Sequence, residues 1–191
     1  MSKVACSACG AAILTATAEV TGGLCMPCKT GRRDAIEAGR RRLQGERARR
    51  AHPLTRHWHD LVHRVHQMPQ GFAGLSEPEK LYYAVGTLDG AIYRGGFESY
   101  FFNTSGGHYE YALSGLDAIE AAQASVLLQR AKQVLFAFEE VPEDTSRRRH
   151  IIVESDSPSR RARLERLDQA YCKNPDNLPA LLERFARENC L

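Results

Sequence analysis

The sequence predicts an all-α helical domain preceded by a small zinc-ribbon-like or treble-clef-like module. Two Cys-x-x-Cys pairs lie within the first 28 residues, and from Trp58 onward apolar residues recur at helical spacing. Capping residues, prolines and glycines divide this second part into helix-sized segments. We therefore expect three parts, which are a four-cysteine module at 1–30, an Arg-rich helical linker at 31–57 and the all-α domain at 58–191.

Four cysteines near the N-terminus have the spacing of a structural zinc site. Fifteen residues separate the two pairs, which are Cys6 with Cys9 and Cys25 with Cys28. Zinc binds four thiolates in a tetrahedron, and four cysteine ligands leave no open position for a substrate, so we expect structural Zn2+. Gly10 follows the first pair, where a residue free to adopt positive φ helps the turn. The alternative is a set of buried or redox-active cysteines without metal.

The residues between the two pairs favour extended structure. The β-prone positions are Ile13, Thr15, Thr17 and Val20. The Gly-Gly pair at 22–23 is a turn signal. Because the segment has few large apolar residues, we expect metal binding to supply its folding free energy.

A strongly basic helix is predicted after the cysteines. Asp34 and Glu37 have capping-box spacing at its start, and Pro53 limits its end to about residue 50. The arginines that it could present to nucleic-acid phosphates are Arg40, Arg41, Arg42, Arg47, Arg49 and Arg50. No aromatic side chains are interleaved with them for stacking on bases, and an ordinary solvated helix face is the alternative.

The first half of the domain contains two predicted helices. One carries its apolar face at Trp58, Leu61, Val62 and Val65. Pro69 and Gly71 then break the chain, and Ser-Glu-Pro-Glu at 76–79 has the pattern of a capping box with an early proline. The helix that follows has its buried stripe at Leu81, Val85, Leu88 and Ile92. We expect it to end at the Gly-Gly pair at 95–96.

The middle of the domain begins with an aromatic cluster and a loop. The cluster consists of Phe97, Tyr100, Phe101 and Phe102, and the loop covers 103–107. Asp117 and Glu120 then have the spacing of a second cap. The helix that they are predicted to open has its buried side at Ile119, Ala122, Val126, Leu127, Ala131, Val134 and Leu135.

The last part of the chain is predicted to hold a connection and two helices. Residues 142–158 are rich in charge, Pro and Ser, with one β-prone run at 151–153, so we expect a connection there. Ser157 and Pro158 can start a helix that carries Leu164, Leu167 and Tyr171. A turn at 174–177 leads to a final helix with Leu181, Leu182 and Phe185.

Two histidines at helical spacing resemble part of a zinc-protease motif. His59 and His63 lie four residues apart and can share a helix face, with Asp60 in the position of the usual glutamate base. Aspartate is one methylene shorter than that base, and the sequence offers no clear third ligand. We therefore expect these side chains to form a polar helix face, with no catalytic residues in the chain.

The amino-acid sequence of residues 72–140 resembles that of a known family. The matching stretches are Leu81-Tyr82-Tyr83-Ala84-Val85, Leu88-Asp89-Gly90, Gly95-Gly96-Phe97-Glu98, Tyr100-Phe101-Phe102-Asn103 and Ser105-Gly106. These look like the C-terminal domain of the DNA-mimic-protein family, catalogued as a domain of unknown function. The later alanines at 121, 122 and 131 and the stretch 167–171 also fit, so that the resemblance covers about residues 58–190.

The resemblance implies an all-helical, dimeric and non-enzymatic protein. Studied members present carboxylates spaced like DNA phosphates and thereby occupy a DNA-binding protein. The carboxylates that would do so here are Glu77, Glu79, Asp89, Glu98, Glu110, Asp117 and Glu120. The chain departs from a strongly acidic mimic because its formal net charge is +3, and because the zinc module and Arg-rich helix are additions to the bare domain.

The charges of the chain are unevenly distributed. Residues 29–66 carry eleven Lys or Arg and four acids, whereas residues 72–145 carry four and eleven. Such asymmetry indicates charged partners or mutual neutralisation of the two segments. We expect a zinc-stabilised, non-enzymatic protein that binds another protein, with a nucleic-acid-binding protein as the rival hypothesis.

The expected location is cytoplasmic. No apolar run is long enough to span a membrane, and the first residues lack the apolar stretch of a secretory signal. Thiols stay reduced in the cytosol, where paired cysteines favour metal over disulfide. The sequence does not identify the protein partner, and a homodimer is one of the oligomeric states left open.

We expect His63→Ala to leave the metal content of the protein unchanged. If His59, Asp60 and His63 held a catalytic metal, the chain would bind one metal ion beyond the four-cysteine site, and the substitution would remove it. Elemental analysis of the purified wild type and variant measures this. A fall from two metal equivalents to one in the variant would contradict the prediction.

Overall fold

The structure is a computed structural model that describes residues 2–174 and 176–191, apart from the side chains of 48–50. The chain forms two compact units, Met1–Thr55 and Arg56–Leu191. The first contains a two-stranded sheet, two short helices and one long helix, and the second is helical. An all-α domain with a small N-terminal cysteine module, the fold class predicted from the sequence, is confirmed.

The first unit is built on a hairpin. Strands β1 (Lys3–Ala5) and β2 (Ala12–Leu14) pair antiparallel, with Lys3 opposite Leu14. Helices α1 (Thr15–Thr21), α2 (Met26–Lys29) and α3 (Arg33–Ala51) follow. The basic helix therefore ends close to the predicted position.

Two sequence expectations for this unit are wrong. Thr15, Thr17 and Val20 were expected to be extended but lie in α1. Alanines and a glutamate separate these β-prone residues, and with only two short strands in the sheet the segment has no third strand to pair with. Asp34 lies inside the first turn of α3 rather than at its cap, because the helix begins at Arg33.

Helix α5 forms the centre of the second unit. It covers Glu77–Phe102 and follows α4 (Pro53–Gln67), a short 3-10 helix at Gly71–Gly74 lying between them. It packs against α6 (Tyr109–Ala118), α7 (Ala122–Phe136), α8 (Thr145–Glu154), α9 (Pro158–Cys172) and α10 (Leu178–Glu188). The predicted capping box is present at its start, where Glu79 accepts a hydrogen bond of 2.8 Å from the backbone N–H of Ser76.

The predicted helix stop at 95–96 is a kink, and α5 continues beyond it. Gly95 and Gly96 have non-helical backbone angles, and Gly96 has φ of +75°, which favours glycine. The Asp168 carboxylate accepts a 2.8 Å hydrogen bond from the N–H of Phe97, so it caps the second half of the helix. A Cβ at Gly96 would overlap this carboxylate. The kink in α5 and the cap of its second half therefore depend on both Gly96 and Asp168.

The aromatic cluster after the kink lies in the core, apart from Phe102, which is half-buried. Phe97, Tyr100 and Phe101 are fully buried. The ring of Phe101 lies 5.0 Å from that of Tyr100 and 5.4 Å from that of Phe136 on α7. The predicted loop at 103–107 is a 3-10 helix at Thr104–His108 that leads directly into α6.

The second predicted cap, Asp117 with Glu120, is wrong. Asp117 lies in the last turn of α6, a helix that we did not predict, and Glu120 has φ of +63° in the turn before α7. The predicted buried side of α7 is confirmed at Leu127, Ala131 and Leu135, whereas Ala122 and Val126 are exposed. Its buried residues are Ala124, Ser125, Leu127, Leu128, Ala131, Leu135 and Phe136.

The predicted connection at 142–158 contains a helix instead. Asp144 caps α8 by accepting a 2.7 Å hydrogen bond from the N–H of Arg147, and the β-prone run at 151–153 is helical. Ile152 and Arg148 are buried on the side that faces α5. The charge-rich composition concealed this helix because one of its arginines belongs to the interior.

The two final helices follow the prediction. Ser157 caps α9 by accepting from the N–H of Arg160, and Leu164 and Tyr171 are buried. Helix α10 buries Phe185, while Leu181 and Leu182 are half-buried.

Arg148 is a buried cation whose acceptors are all uncharged. Its guanidinium donates to the carbonyls of Phe101 and Asn103, at 3.0 and 2.8 Å, and to the hydroxyl of Thr145 at 3.0 Å. It also donates to the carbonyls at 142 and 143, at 2.7 and 2.6 Å. The C-terminal carbonyls of a helix carry partial negative charge, which a cation stabilises. Arg148 thus joins the end of α5 to the segment before α8.

We expect Arg148→Ala to lower the free energy of unfolding by about 3 kcal/mol or more. The substitution leaves several buried carbonyls without donors and opens a cavity. The neighbouring exposed residue provides the control, since Arg147→Ala should change stability by no more than about 0.5 kcal/mol. Urea unfolding monitored by circular dichroism measures both. Equal stability of the two variants would show that the hydrogen bonds of Arg148 do not support the fold.

Candidate metal centre and charged surfaces

The four cysteines come together where the turn between β1 and β2 meets helix α2. Cys6 and Cys9 lie in the turn between β1 and β2, where Gly10 has φ of +71° as the sequence predicted. Cys25 is the N-cap of α2, and Cys28 lies within that helix. The N–H of Ser7 donates to the carbonyl of residue 23 at 3.0 Å, which ties the two motifs together.

The sulfur positions fit a tetrahedral metal ion. All four Sγ atoms lie within 4.8 Å of one another, and those of Cys9 and Cys25 are 3.7 Å apart. A tetrahedron with metal–sulfur bonds of about 2.3 Å has sulfur–sulfur edges of about 3.8 Å, whereas a disulfide needs about 2.05 Å. All four cysteines are free thiols. The arrangement is therefore a potential metal site with four ligands.

Hydrogen bonds around the sulfurs favour the thiolate form. The N–H of Cys25 donates to the Sγ of Cys6 at 3.2 Å, and the guanidinium of Arg33 donates to the sulfurs of Cys9 and Cys25 at 2.7 and 3.0 Å. Contacts with the sulfurs of Cys28 and Cys25 raise the pKa of Arg33. Four thiolates around a divalent ion carry a net charge of −2, which this arginine reduces. Arg33 could not be predicted as a sulfur ligand's partner from the sequence, because its position at the start of a helix gives no signal of the contact.

The four thiols strongly affect one another's pKa values. The N–H of Cys25 lowers the pKa of Cys6 to about 6. Arg33 lowers the pKa of Cys28, but hydrogen bonding to Cys25, burial and the other thiols outweigh this and raise it to about 12. Four thiolates held this close therefore need a positive charge among them, which a divalent ion supplies.

Four of the six arginines predicted to meet nucleic acid have described side chains, and all four are exposed. Arg40, Arg41, Arg42 and Arg47 are open to solvent, and no residue of α3 with a described side chain is buried. The side chains of Arg49 and Arg50 lie outside the described residues. The first unit has ten Lys or Arg and four acids, a net charge of +6, and the second has sixteen and nineteen, a net charge of −3.

Four of the seven carboxylates predicted to meet a partner form ion pairs with basic side chains of the same chain. The pairs are Glu77 with Lys80 at 2.5 Å, Glu79 with Arg64 at 2.5 Å, Glu98 with Arg160 at 3.0 Å, and Glu120 with Arg184 at 3.0 Å. The hydrogen bond from Arg64 lowers the pKa of Glu79 to about 2. That carboxylate also completes the capping box, so it belongs to the fold rather than to a free surface.

The remaining three predicted carboxylates differ in exposure. Asp89 is half-buried and accepts a 3.1 Å hydrogen bond from the hydroxyl of Tyr171, and burial raises its pKa. Asp117 accepts from the hydroxyl of Ser125 at 3.0 Å. Glu110 is exposed. Four of the seven carboxylates are thus paired with cations and Asp89 is half-buried, and contact of the seven with a partner stays a prediction.

A different acidic surface lies between α7 and α8. We call residues 138–144 the Phe138 segment. It contains Phe138, Glu139, Glu140, Glu143 and Asp144. Phe138 is 97% exposed, and the three glutamates are exposed and form no ion pair with any residue that the structure describes. Only residues 142–144 of this segment fall within the predicted connection at 142–158, and its acidic surface was not predicted, although Phe next to two glutamates is a readable signal.

The histidines of α4 do not assemble a second metal centre. His59 and His63 are exposed, and His66 lies 3.1 Å from the hydroxyl of Tyr83. Within 2–174 and 176–191, the four cysteines are the one group of three or more His, Cys, Asp or Glu side chains close enough to share a metal.

No helix in the described part of the chain is long and apolar enough to cross a membrane.

Comparison with known proteins identifies the helical domain. A family model described as DMP19-like protein matches residues 73–189, which is more than half of the chain. The resemblance seen in the sequence is confirmed over this range. No curated protein matches the chain. No solved structure matches it either.

We expect one equivalent of zinc per chain, lost in Cys25→Ser, because a serine hydroxyl is a poor zinc ligand. The first unit should then unfold, while the second keeps its helices because its stability rests on buried apolar packing. Cys172→Ser is the matched control, since Cys172 is exposed and far from the cluster in sequence. Elemental analysis and circular dichroism measure both. Wild-type protein purified without chelator and free of zinc would contradict this prediction.

Proposed function

This chain belongs to the DMP19-like protein family, and from that membership we propose that it is a non-enzymatic protein that binds a basic, DNA-binding protein. The match over residues 73–189 is the observation that carries the proposal. Zinc held by Cys6, Cys9, Cys25 and Cys28 stabilises the first unit. A cytoplasmic location agrees with free thiols, and a homodimer is the assembly that the family resemblance implies.

The Phe138 segment supports a surface for such a partner. Its three glutamates are free of ion pairs within the described residues, so their field is open to a basic protein. Phe138 provides the exposed aromatic group that interface hot spots favour. Arg148 binds the carbonyls of Pro142 and Glu143, which anchors the segment to the core. An anchored segment loses little conformational entropy on binding.

The rival proposal is binding of nucleic acid by the first unit. Its net charge of +6 and the exposed arginines Arg40, Arg41 and Arg42 support this alternative. Phosphate contacts made by such a helix weaken steeply with salt. The described part of α3 presents no aromatic side chain on which a base could stack. We therefore expect full-length protein to bind DNA weakly and to lose it by about 0.2 M salt, where the Debye length is shorter than about 8 Å.

We expect tagged full-length protein to retain a basic DNA-binding protein from its native host after nuclease treatment. Changing Glu139, Glu140 and Glu143 together to Lys should abolish this binding, because the partner then meets like charge. The matched control changes Glu154, Glu165 and Glu188, which are exposed elsewhere, to Lys. Phe138→Ser should weaken binding about tenfold or more. Pull-down, mass spectrometry and titration of the purified partner measure these effects.

Two outcomes would contradict the proposal. If the control triple variant loses the partner as completely as the first one, general charge rather than the Phe138 segment governs binding. If retention instead depends on nucleic acid, survives salt and disappears when Arg40, Arg41 and Arg42 are changed to Ala, the rival proposal is correct.

A further inference from the structure

A cleft of about 540 Å3 opens on the second unit beside the kinked helix α5. Its lining includes His66, Phe72, Tyr83, Arg94, Thr104 and His108. These residues come from α4, from α5 and from the two 3-10 helices. The volume lies within the range of about 300–1,000 Å3 that small-molecule sites occupy.

One part of the cleft is lined by the rings of Phe72, Tyr83 and His108, which have fixed geometry. The rings of Phe72 and His108 stack with centroids 3.8 Å apart, and Phe72 lies 5.9 Å from Tyr83. The hydroxyl of Tyr83 lies 3.1 Å from Nε2 of His66, which holds the phenol and imidazole together. Flat aromatic side chains in a preformed cleft favour a ligand with a flat ring.

Apart from Val65 and Ala91, the rest of the lining is polar, and it lacks acidic groups. None of the described residues that line the cleft is Asp or Glu. Arg94 donates from Nε to the carbonyl of Gly90 at 2.8 Å, which orients its guanidinium, and the two terminal nitrogens have no acceptor among the described residues. Burial, with contributions from Arg148 and His66, lowers the pKa of His108 and so favours its neutral form. Arg94 therefore dominates the charge of the cleft.

We propose that this cleft binds a small organic anion, in which a phosphate or carboxylate group is attached to a flat unsaturated ring. The anionic group lies at Arg94 and at the hydroxyl of Thr104. The ring of the ligand lies against the rings of Phe72, Tyr83 and His108. This activity is separate from binding of a protein partner, which rests on the family match and the Phe138 segment. The two inferences can fail independently.

The experiment titrates the full-length, zinc-loaded protein with phenyl phosphate and follows backbone amide shifts by NMR. A ligand of this size that fits a preformed site should bind with Kd on the order of millimolar. Shifts should concentrate at the lining residues. Benzyl alcohol, which lacks the charge, and inorganic phosphate, which lacks the ring, should each bind at least about fivefold more weakly. A benzyl alcohol affinity equal to that of phenyl phosphate would overturn the proposal, as would shifts spread evenly over basic surfaces.

Variants separate the cleft from general attraction of anions. Arg94→Gln should weaken phenyl phosphate binding about tenfold, because a charge-assisted hydrogen bond is lost. Arg147→Gln removes an exposed arginine outside the cleft and should leave the affinity unchanged. Thr104→Val provides a second test at an exposed position, with an expected loss of affinity of about threefold or more. Unchanged affinity in both Arg94→Gln and Thr104→Val would refute the assignment.

Discussion

The buried guanidinium of Arg148 is the interaction on which the arrangement of the helical unit depends. It is fully buried, and it donates to four backbone carbonyls and one hydroxyl without a carboxylate partner. Burial lowers its pKa, but the carbonyls at the end of α5 offer partial negative charge that keeps the cation favourable there. A single side chain thereby fixes where α5 ends, where α8 begins and how the segment between α7 and α8 leaves the core.

The family signature is explained largely by the same central helix. Gly96 forms the kink and Asp168 caps the helix after it. The Gly-Gly-Phe motif and the distant aspartate therefore act together in one structural feature. In the Phe-Phe-Asn-x-Ser-Gly motif, Asn103 donates to the carbonyl of Ser99, and Gly106 packs against the backbone of residue 101 without room for a Cβ. These residues position the helices. They also place Asn103, Thr104 and Ser105 along the cleft, so a structural motif forms one edge of a candidate binding site.

The charges of the chain serve two purposes that composition does not separate. Many carboxylates of the helical unit are paired with arginines, as Glu79 is with Arg64, and they stabilise local geometry instead of projecting a field. The free charge lies elsewhere, on the exposed arginines of α3 and on the glutamates of the Phe138 segment. Net charge alone therefore argues poorly for or against mimicry of DNA, because only the unpaired groups act at a distance.

The sequence by itself determined the features whose cause is local. The spacing of Cys6, Cys9, Cys25 and Cys28, the capping box at 76–79 and the helical periodicity of α5, α9 and α10 depend on residues within a few turns of one another. Only the tertiary structure decided that α6 and α8 are helices, that Arg148 is inside, and that Asp168 caps Phe97 across 71 positions of chain. Burial and long-range hydrogen bonding depend on which segments meet. A charge-rich segment therefore reads as a connection until its packing partner is known.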